Sequence, residues 1–221
     1  MTHCKHNDIL KKGVTYVGKY IIFDAMGVIF TVGDDTNDLL VPYIWKKNPS
    51  ITREEINGIY KDASLGKLTS EEFWKSVNVE STDKKYLDEC LTIDESFIET
   101  AKNLKEKYKL AVLSNDLAEW SAYLRKKYGI DDVVEFSVIS GDVGYRKPSK
   151  EIYEIALEKV NADPKDCIFI DDRDKNLLPA MKLGMNVIKF SREENSTTLD
   201  DVQVINRFED LANAVDKIWH K

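Results

Sequence analysis

The chain has 221 residues, 43% hydrophobic and 32% charged, with a net charge of -7. That composition suits a globular protein with one large core, or a core carrying a smaller inserted domain. The acidic balance argues against nucleic acid or an anionic membrane surface as partner, and no run approaches the roughly 18 apolar residues of a membrane span.

The N-terminal stretch "MTHCKHNDILKKGVTYVGKY" lacks the apolar segment of a secretory signal. Residues 1–16 read as a flexible extension, which explains His3, Cys4 and His6 better than a metal site does. The three cysteines Cys4, Cys90 and Cys167 are widely spaced and odd in number, as expected for reduced thiols of a cytoplasmic protein.

The first buried strand is "YIIF" at 20–23, a short apolar run that delivers Asp24. Residues 34–95 differ from what surrounds them. The stretches "NDLLVPYIWKK", "TREEINGIYKDASLG", "SEEFWKSV" and "DKKYLDECL" have the spacing of short amphipathic helices, with no buried-strand run among them. This segment holds 14 acidic and 8 basic residues, so 14 minus 8 leaves six of the net negative charges here. It reads as a helical cap inserted after the first strand. Trp45, Tyr60, Phe73 and Trp74 are expected to form its core, with a substrate-facing role for one of them as the lesser alternative. Thr52 and Glu55 make a capping box at an exposed helix start, beside which Arg53 reads as a solvated charge.

After the insert, helical patterns at about 95–107, 116–128, 149–160 and 174–183 alternate with apolar runs. These runs are "KLAVLS" (109–114), "VEFSVIS" (134–140), "CIFI" (167–170) and "NVIKF" (186–190). The alternation predicts an α/β fold, a parallel sheet with helices on both faces. Ser149 is placed to cap the third helix, and Gly184 to end the fourth. Pro179 conflicts with a helix interior, so the fourth helix is expected to begin near Asn176 or to kink. The final segment "TTLDDVQVINRFEDLANAVDKIWHK" predicts a last strand or turn and a closing helix, with Phe208, Leu211 and Ile218 facing the core.

Ligands of an open parallel sheet bind beyond the carboxyl ends of its strands. Here those ends carry Asp24, then Ser114 and Asn115, then "GDVGYRKP" with Lys147, then Asp171, Asp172 and Arg173. Clustered carboxylates need a cation, and oxygen ligands with few protein donors suit Mg2+. The metal and a lysine together neutralise a phosphate, a hydroxyl and the N–H groups of the loop through Gly27 hold its oxygens, and an aspartate attacks phosphorus.

The stretches "IIFDAMGVIF", "VLSND", "VGYRKPSKEIY" and "IFIDDRDKNLLPAMKLGM" resemble, in order, the four motifs of the haloacid dehalogenase-like hydrolases, over about residues 19–190. The insert lies where that family carries a helical cap. The resemblance implies a three-layer Rossmann-like core at 17–33 and 96–221 and a cap at 34–95, with hinges near Gly33 and at 93–95. It also implies Asp24 as nucleophile and metal ligand, with the Met26 backbone carbonyl, Asp172 and, beside it, Asp171 completing the Mg2+ site. Ser114, Asn115 and Lys147 would bind the transferring group. Asn176 either braces the fourth-motif loop or caps its helix.

Most phosphatases of this family carry an aspartate two residues after the nucleophile, as general acid and base. Here that position is Met26. Three readings follow. The first is a Mg2+-dependent phosphatase with an aspartyl-phosphate intermediate, acting on a small phosphorylated metabolite. The second is a 2-haloacid dehalogenase using Asp24, since halide leaves without a proton; against it stand the Asp171–Asp172 pair and the lack of a cap arginine other than Arg53. The third is a non-catalytic member. Arg146 and Arg173 either add to the cationic cluster at Lys147 or form structural ion pairs. The sequence leaves the oligomeric state open between monomer and dimer.

Overall fold

The computed structural model describes residues 18–192 and 197–219. The expected N-terminal extension, with His3, Cys4 and His6, lies outside them. Six parallel strands form one sheet: β1 (Tyr20–Phe23), β2 (Lys109–Ser114), β3 (Phe136–Ile139), β4 (Cys167–Asp171), β5 (Asn186–Phe190) and β6 (Gln203–Ile205). Their spatial order is β3-β2-β1-β4-β5-β6. The chain therefore builds outward from β1 on one side, then crosses to β4 and builds outward on the other. That reversal opens a crevice at the carboxyl ends of β1 and β4, the place where doubly wound sheets bind ligands.

Alternation along each strand assigns the two faces. Ile21, Phe23, Leu110, Val112, Ile168 and Ile170 pack into one apolar layer, and Tyr20, Ile22, Ala111, Leu113 and Phe169 into the other. The four long core helices expected between strands are present, as α5 (Phe97–Lys105), α6 (Ala118–Lys127), α8 (Lys150–Val160) and α9 (Asp174–Lys182). A short α7 (Ser140–Val143) takes over Ser140, expected as the end of β3. The closing helix is α10 (Leu211–Trp219); Phe208 and Leu211 are buried against the core and Ile218 partly so. No helix of the described residues is long and apolar enough to cross a membrane.

Three local expectations change. Ser149 precedes α8, but its hydroxyl bonds Glu151 and caps no backbone N–H. The helix α9 begins at Asp174, with Pro179 inside it. The carbonyl that loses its i+4 donor belongs to Lys175, an exposed residue that water can serve. Trp45 is 38% exposed rather than in the cap core, its indole N–H donating to the Ile51 carbonyl.

The cap is a π-helical turn (Thr36–Leu40) running into α1 (Val41–Trp45), then α2 (Arg53–Ala63), α3 (Ser70–Ser76) and α4 (Asp83–Cys90). Complete capping boxes start α2 at Thr52/Glu55 and α3 at Thr69/Glu72. Tyr43, Tyr60, Phe73, Trp74 and Tyr86 form an aromatic cluster that receives Trp120 from α6. The Trp120 indole N–H donates to Ser70 Oγ and Asp83 Oδ1, both at 2.8 Å. The two connections between cap and core pair with each other: Thr31 N–H donates to the Thr92 carbonyl and Asp94 N–H to the Ile29 carbonyl.

Candidate active site

Asp24 follows β1 directly, and its N–H still reaches the Ile170 carbonyl of β4 at 2.8 Å. Its carboxylate is thus held at the sheet's reversal point, where Oδ1 accepts from the Ala25 N–H at 2.6 Å. The Lys147 ammonium lies 2.7 Å from Asp24 Oδ1 and 2.8 Å from Asp171 Oδ2, with its side chain 1% exposed. Lys147 is set by Asn115, whose side-chain oxygen accepts from the Lys147 N–H at 2.7 Å and whose amide donates to the Lys147 carbonyl at 2.9 Å. The Asn115 amide, expected on the transferring group, is engaged in that clamp.

Asp171 is wholly buried and fully partnered. Besides Lys147 it accepts from the Arg173 N–H at 2.8 Å, and Asn176 Nδ2 donates to both its oxygens at 3.0 Å. Asn176 therefore braces the loop and does not cap the helix; Arg173 occupies the cap position. Burial and the charge of Asp171 push the Asp24 carboxyl well above its usual range, with Lys147 opposing. Burial alone would lower the Lys147 ammonium, but the charges of Asp171 and Asp24 overcome it and raise it. A buried ammonium between two carboxylates is stable only as a set, because removing any member strands the others.

Carboxylate oxygens of Asp24, Asp171 and Asp172 lie within 4.8 Å of one another. Asp172 Oδ1 is buried without a hydrogen-bond partner among the described residues, with Arg173 Nε 3.8 Å away. Burial and Asp171 raise the Asp172 carboxyl to about 6, against Arg173, Lys147 and Lys189. Its other oxygen fits between two glycines: a Cβ at Gly27 or at Gly33 would stand 2.4 Å from Asp172 Oδ2. Gly27 also has φ +82°, a conformation side chains disfavour. Crowded carboxylates with an orphaned oxygen are the surroundings a small hard cation would relieve, so the donor set fits Mg2+.

Above this floor is a pocket of about 60 Å3 lined by Asp24, Met26, Ser114, Asn115 and Lys147 below, and by Asp35, Thr36, Tyr60, Arg146 and Arg173 above. At roughly 10–15 Å3 per water it holds a phosphoryl group and little more. Ser114 Oγ is buried there without a partner among the described residues, a hydroxyl available to a ligand. Arg173 donates to the Gly33 carbonyl and stands 3.9 Å from Asp34 and 3.8 Å from Asp172. Arg146 stacks 5.5 Å from the Tyr60 ring centroid. Arg53 does not line the pocket; it donates to Asn37 at 3.0 Å and stacks on Trp45. Sequence reasoning passed over Asp35. The available signal was the tandem Asp34–Asp35 directly after the hinge glycine.

The chain is 22% identical over 203 residues to D-ribitol-5-phosphate phosphatase of Bacteroides thetaiotaomicron, covering 85% of this chain and 98% of that one. It is 30% identical over 108 residues to glyceraldehyde 3-phosphate phosphatase of Methanothermobacter thermautotrophicus, 47% of each chain. It is 25% identical over 122 residues to (S)-2-haloacid dehalogenase 4A of Burkholderia cepacia, 55% of this chain and 51% of that one. The fold matches a crystal structure of a Bacteroides thetaiotaomicron enzyme of the same family in complex with magnesium and inorganic phosphate, with a TM-score of 0.67 and 22% identity, over 83% of this chain and 100% of that one. A family model described as haloacid dehalogenase-like hydrolase matches residues 19–184, three quarters of the chain, and the protein belongs to that family of hydrolases.

Proposed function

We propose that the protein is a Mg2+-dependent phosphatase that hydrolyses a small phosphorylated metabolite through an aspartyl-phosphate on Asp24. The observation that carries this reading is the Lys147 ammonium, fixed on Asp24 and Asp171 beside the unpartnered Ser114 hydroxyl and the three-carboxylate cluster. A dianionic phosphoryl group entering here meets one buried cation, one free hydroxyl and the N–H groups of the loop after Asp24. Asp24, Asp172 and the Met26 carbonyl would hold Mg2+, with Asp171 held behind them by Lys147 and Asn176. When bound, the ion neutralises part of the phosphoryl charge.

Asp24 would form an Oδ–P bond as the ester P–O bond breaks, and water would then cleave the phosphoenzyme. The pocket takes the phosphoryl group, the relatives named for ribitol 5-phosphate and glyceraldehyde 3-phosphate support a short polyol or aldose chain as leaving group, and the acidic cap disfavours polyanions. The dehalogenase reading requires an anionic acid to approach three clustered carboxylates without a cation, which repulsion disfavours. The free thiols Cys90 and Cys167 agree with a cytoplasmic location.

The test is phosphate release from a panel of short polyol and aldose phosphates, with Mg2+ and with EDTA, by wild type and Asp24→Asn. The expected result is release that needs Mg2+ and falls by roughly 10⁴–10⁶-fold in the variant. Chloride release from 2-chloropropionate without phosphate release would instead select the dehalogenase.

A further inference from the structure

Position 26 carries a thioether that can neither give nor take a proton, and the methionine is 7% exposed. A phosphatase built on Asp24 still has to protonate an alkoxide leaving group and later deprotonate water. In an in-line displacement the leaving oxygen departs on the side of phosphorus opposite the nucleophile. With Asp24 on the floor, that side is the roof of the pocket. Only one carboxyl that lines the pocket from above is buried: Asp35 is 8% exposed, whereas its neighbour Asp34 is turned to solvent and bonded to Asn37.

Asp35 precedes the π-helical turn, yet its side chain makes no capping hydrogen bond. The carboxyl meets only the adjacent Thr36 N–H of the turn, so helix capping, the ordinary use of an aspartate at such a place, accounts for little of it. Beside it Arg146 Nη1 is buried without a partner among the described residues. The roof thus holds a buried acid bound to its helix only through the Thr36 N–H, and a donor without a partner among the described residues, both on the leaving-group side.

We propose that Asp35 is the general acid and base that position 26 lacks. This rests on the phosphatase reading. In the first step the Asp24 Oδ–P bond forms, the P–O bond to the leaving group breaks, and the Asp35 proton passes to the leaving oxygen, giving a neutral alcohol and an Asp35 carboxylate. In the second step water oxygen bonds phosphorus, the Asp24–P bond breaks, and the water proton returns to Asp35. No further reactant is needed.

The surroundings suit the role. Burial moves the Asp35 carboxyl up to about 7; Arg173, Arg146 and the Thr36 N–H oppose the rise and Asp34 adds to it. Tyr60, Tyr86 and Asp116 also face it, and burial together with the Asp35 charge pushes all three upward. Asp35 is thus protonated below about 7 and available as an acid, and deprotonated above it.

The experiment compares wild type and Asp35→Asn on a short alkyl phosphate and on p-nitrophenyl phosphate, whose leaving group needs no proton. For the variant, kcat/KM is expected to fall about 10²–10⁴-fold on the alkyl ester and less than about 10-fold on the aryl ester. The wild-type alkyl rate falls above pH ~7, and that limb disappears in the variant. Asparagine removes a buried charge. The wild-type Asp35 holds its proton more tightly folded than unfolded, so its contribution to stability is lost as pH rises from ~4 to ~7. The Tm of the variant relative to wild type therefore rises over that range, which also shows that the variant is folded. Equal losses on the two esters, or an unchanged alkaline limb, would overturn the proposal. Wild-type failure on both esters would contradict the phosphatase reading instead, and the proposal with it.

Discussion

The floor and the roof of the pocket are built on different terms. On the floor Lys147, Asp171, Asn115 and Asn176 are tied to one another at 2.7 to 3.0 Å, which leaves Ser114 Oγ, Asp172 Oδ1 and Asn176 Oδ1 without a hydrogen-bond partner among the described residues. In the roof Arg146 Nη1 has no partner among the described residues, and the Asp35 carboxyl meets the Thr36 N–H without a side-chain cap. Most of the floor follows strand ends of a rigid sheet and the roof draws on the cap hinge, while the loop before α8 serves both, through adjacent Lys147 and Arg146. The lesson is one of preorganisation. Both parts keep some polar atoms open, but only the part that meets the invariant phosphoryl group is locked by a network of short hydrogen bonds.

The largest effect is expected on the floor. Lys147→Ala leaves Asp24 and Asp171 buried without their shared cation, which costs about 3–5 kcal/mol of stability. Turnover should also fall by about 10²–10³-fold, as for loss of a transition-state donor. Urea unfolding and steady-state rates check both; a fully stable variant would show that the buried charge set is not what holds the floor.

A smaller effect is expected where the glycines cradle Asp172. Gly33→Ala places a methyl against the Asp172 carboxylate and should weaken Mg2+ binding about 10–100-fold, measured by calorimetry. Unchanged affinity would remove Asp172 from the metal site. The smallest effect is expected outside the pocket. Arg53→Ala should change kcat/KM by less than about 2-fold, as for exposed surface positions. A large loss would revive a cap arginine as substrate clamp and with it the dehalogenase.

The sheet and the floor were legible because buried parallel strands are short apolar runs, because Asp24, Ser114 and Asp171 stand at their ends, and because Lys147 follows β3 in the next loop. Details set by tertiary contact were not. Ser149 prefers Glu151 to its helix, Pro179 survives where an exposed carbonyl can meet water, and Trp45 lies on the cap surface. Trp120 could not be assigned to the cap cluster from sequence, since α6 belongs to the core. Asp35 was missed for the same reason. Two aspartates after a glycine look alike in sequence, and only the folded hinge turns one to solvent and buries the other.

The most direct measurement is mass spectrometry of the enzyme quenched in acid during turnover of a phosphate ester. The peptide spanning residues 20–30 should carry one phosphoryl group on Asp24, absent in Asp24→Asn. A phosphoryl group on another residue, or steady phosphate release with no adduct on Asp24 at any quench time, would contradict the account.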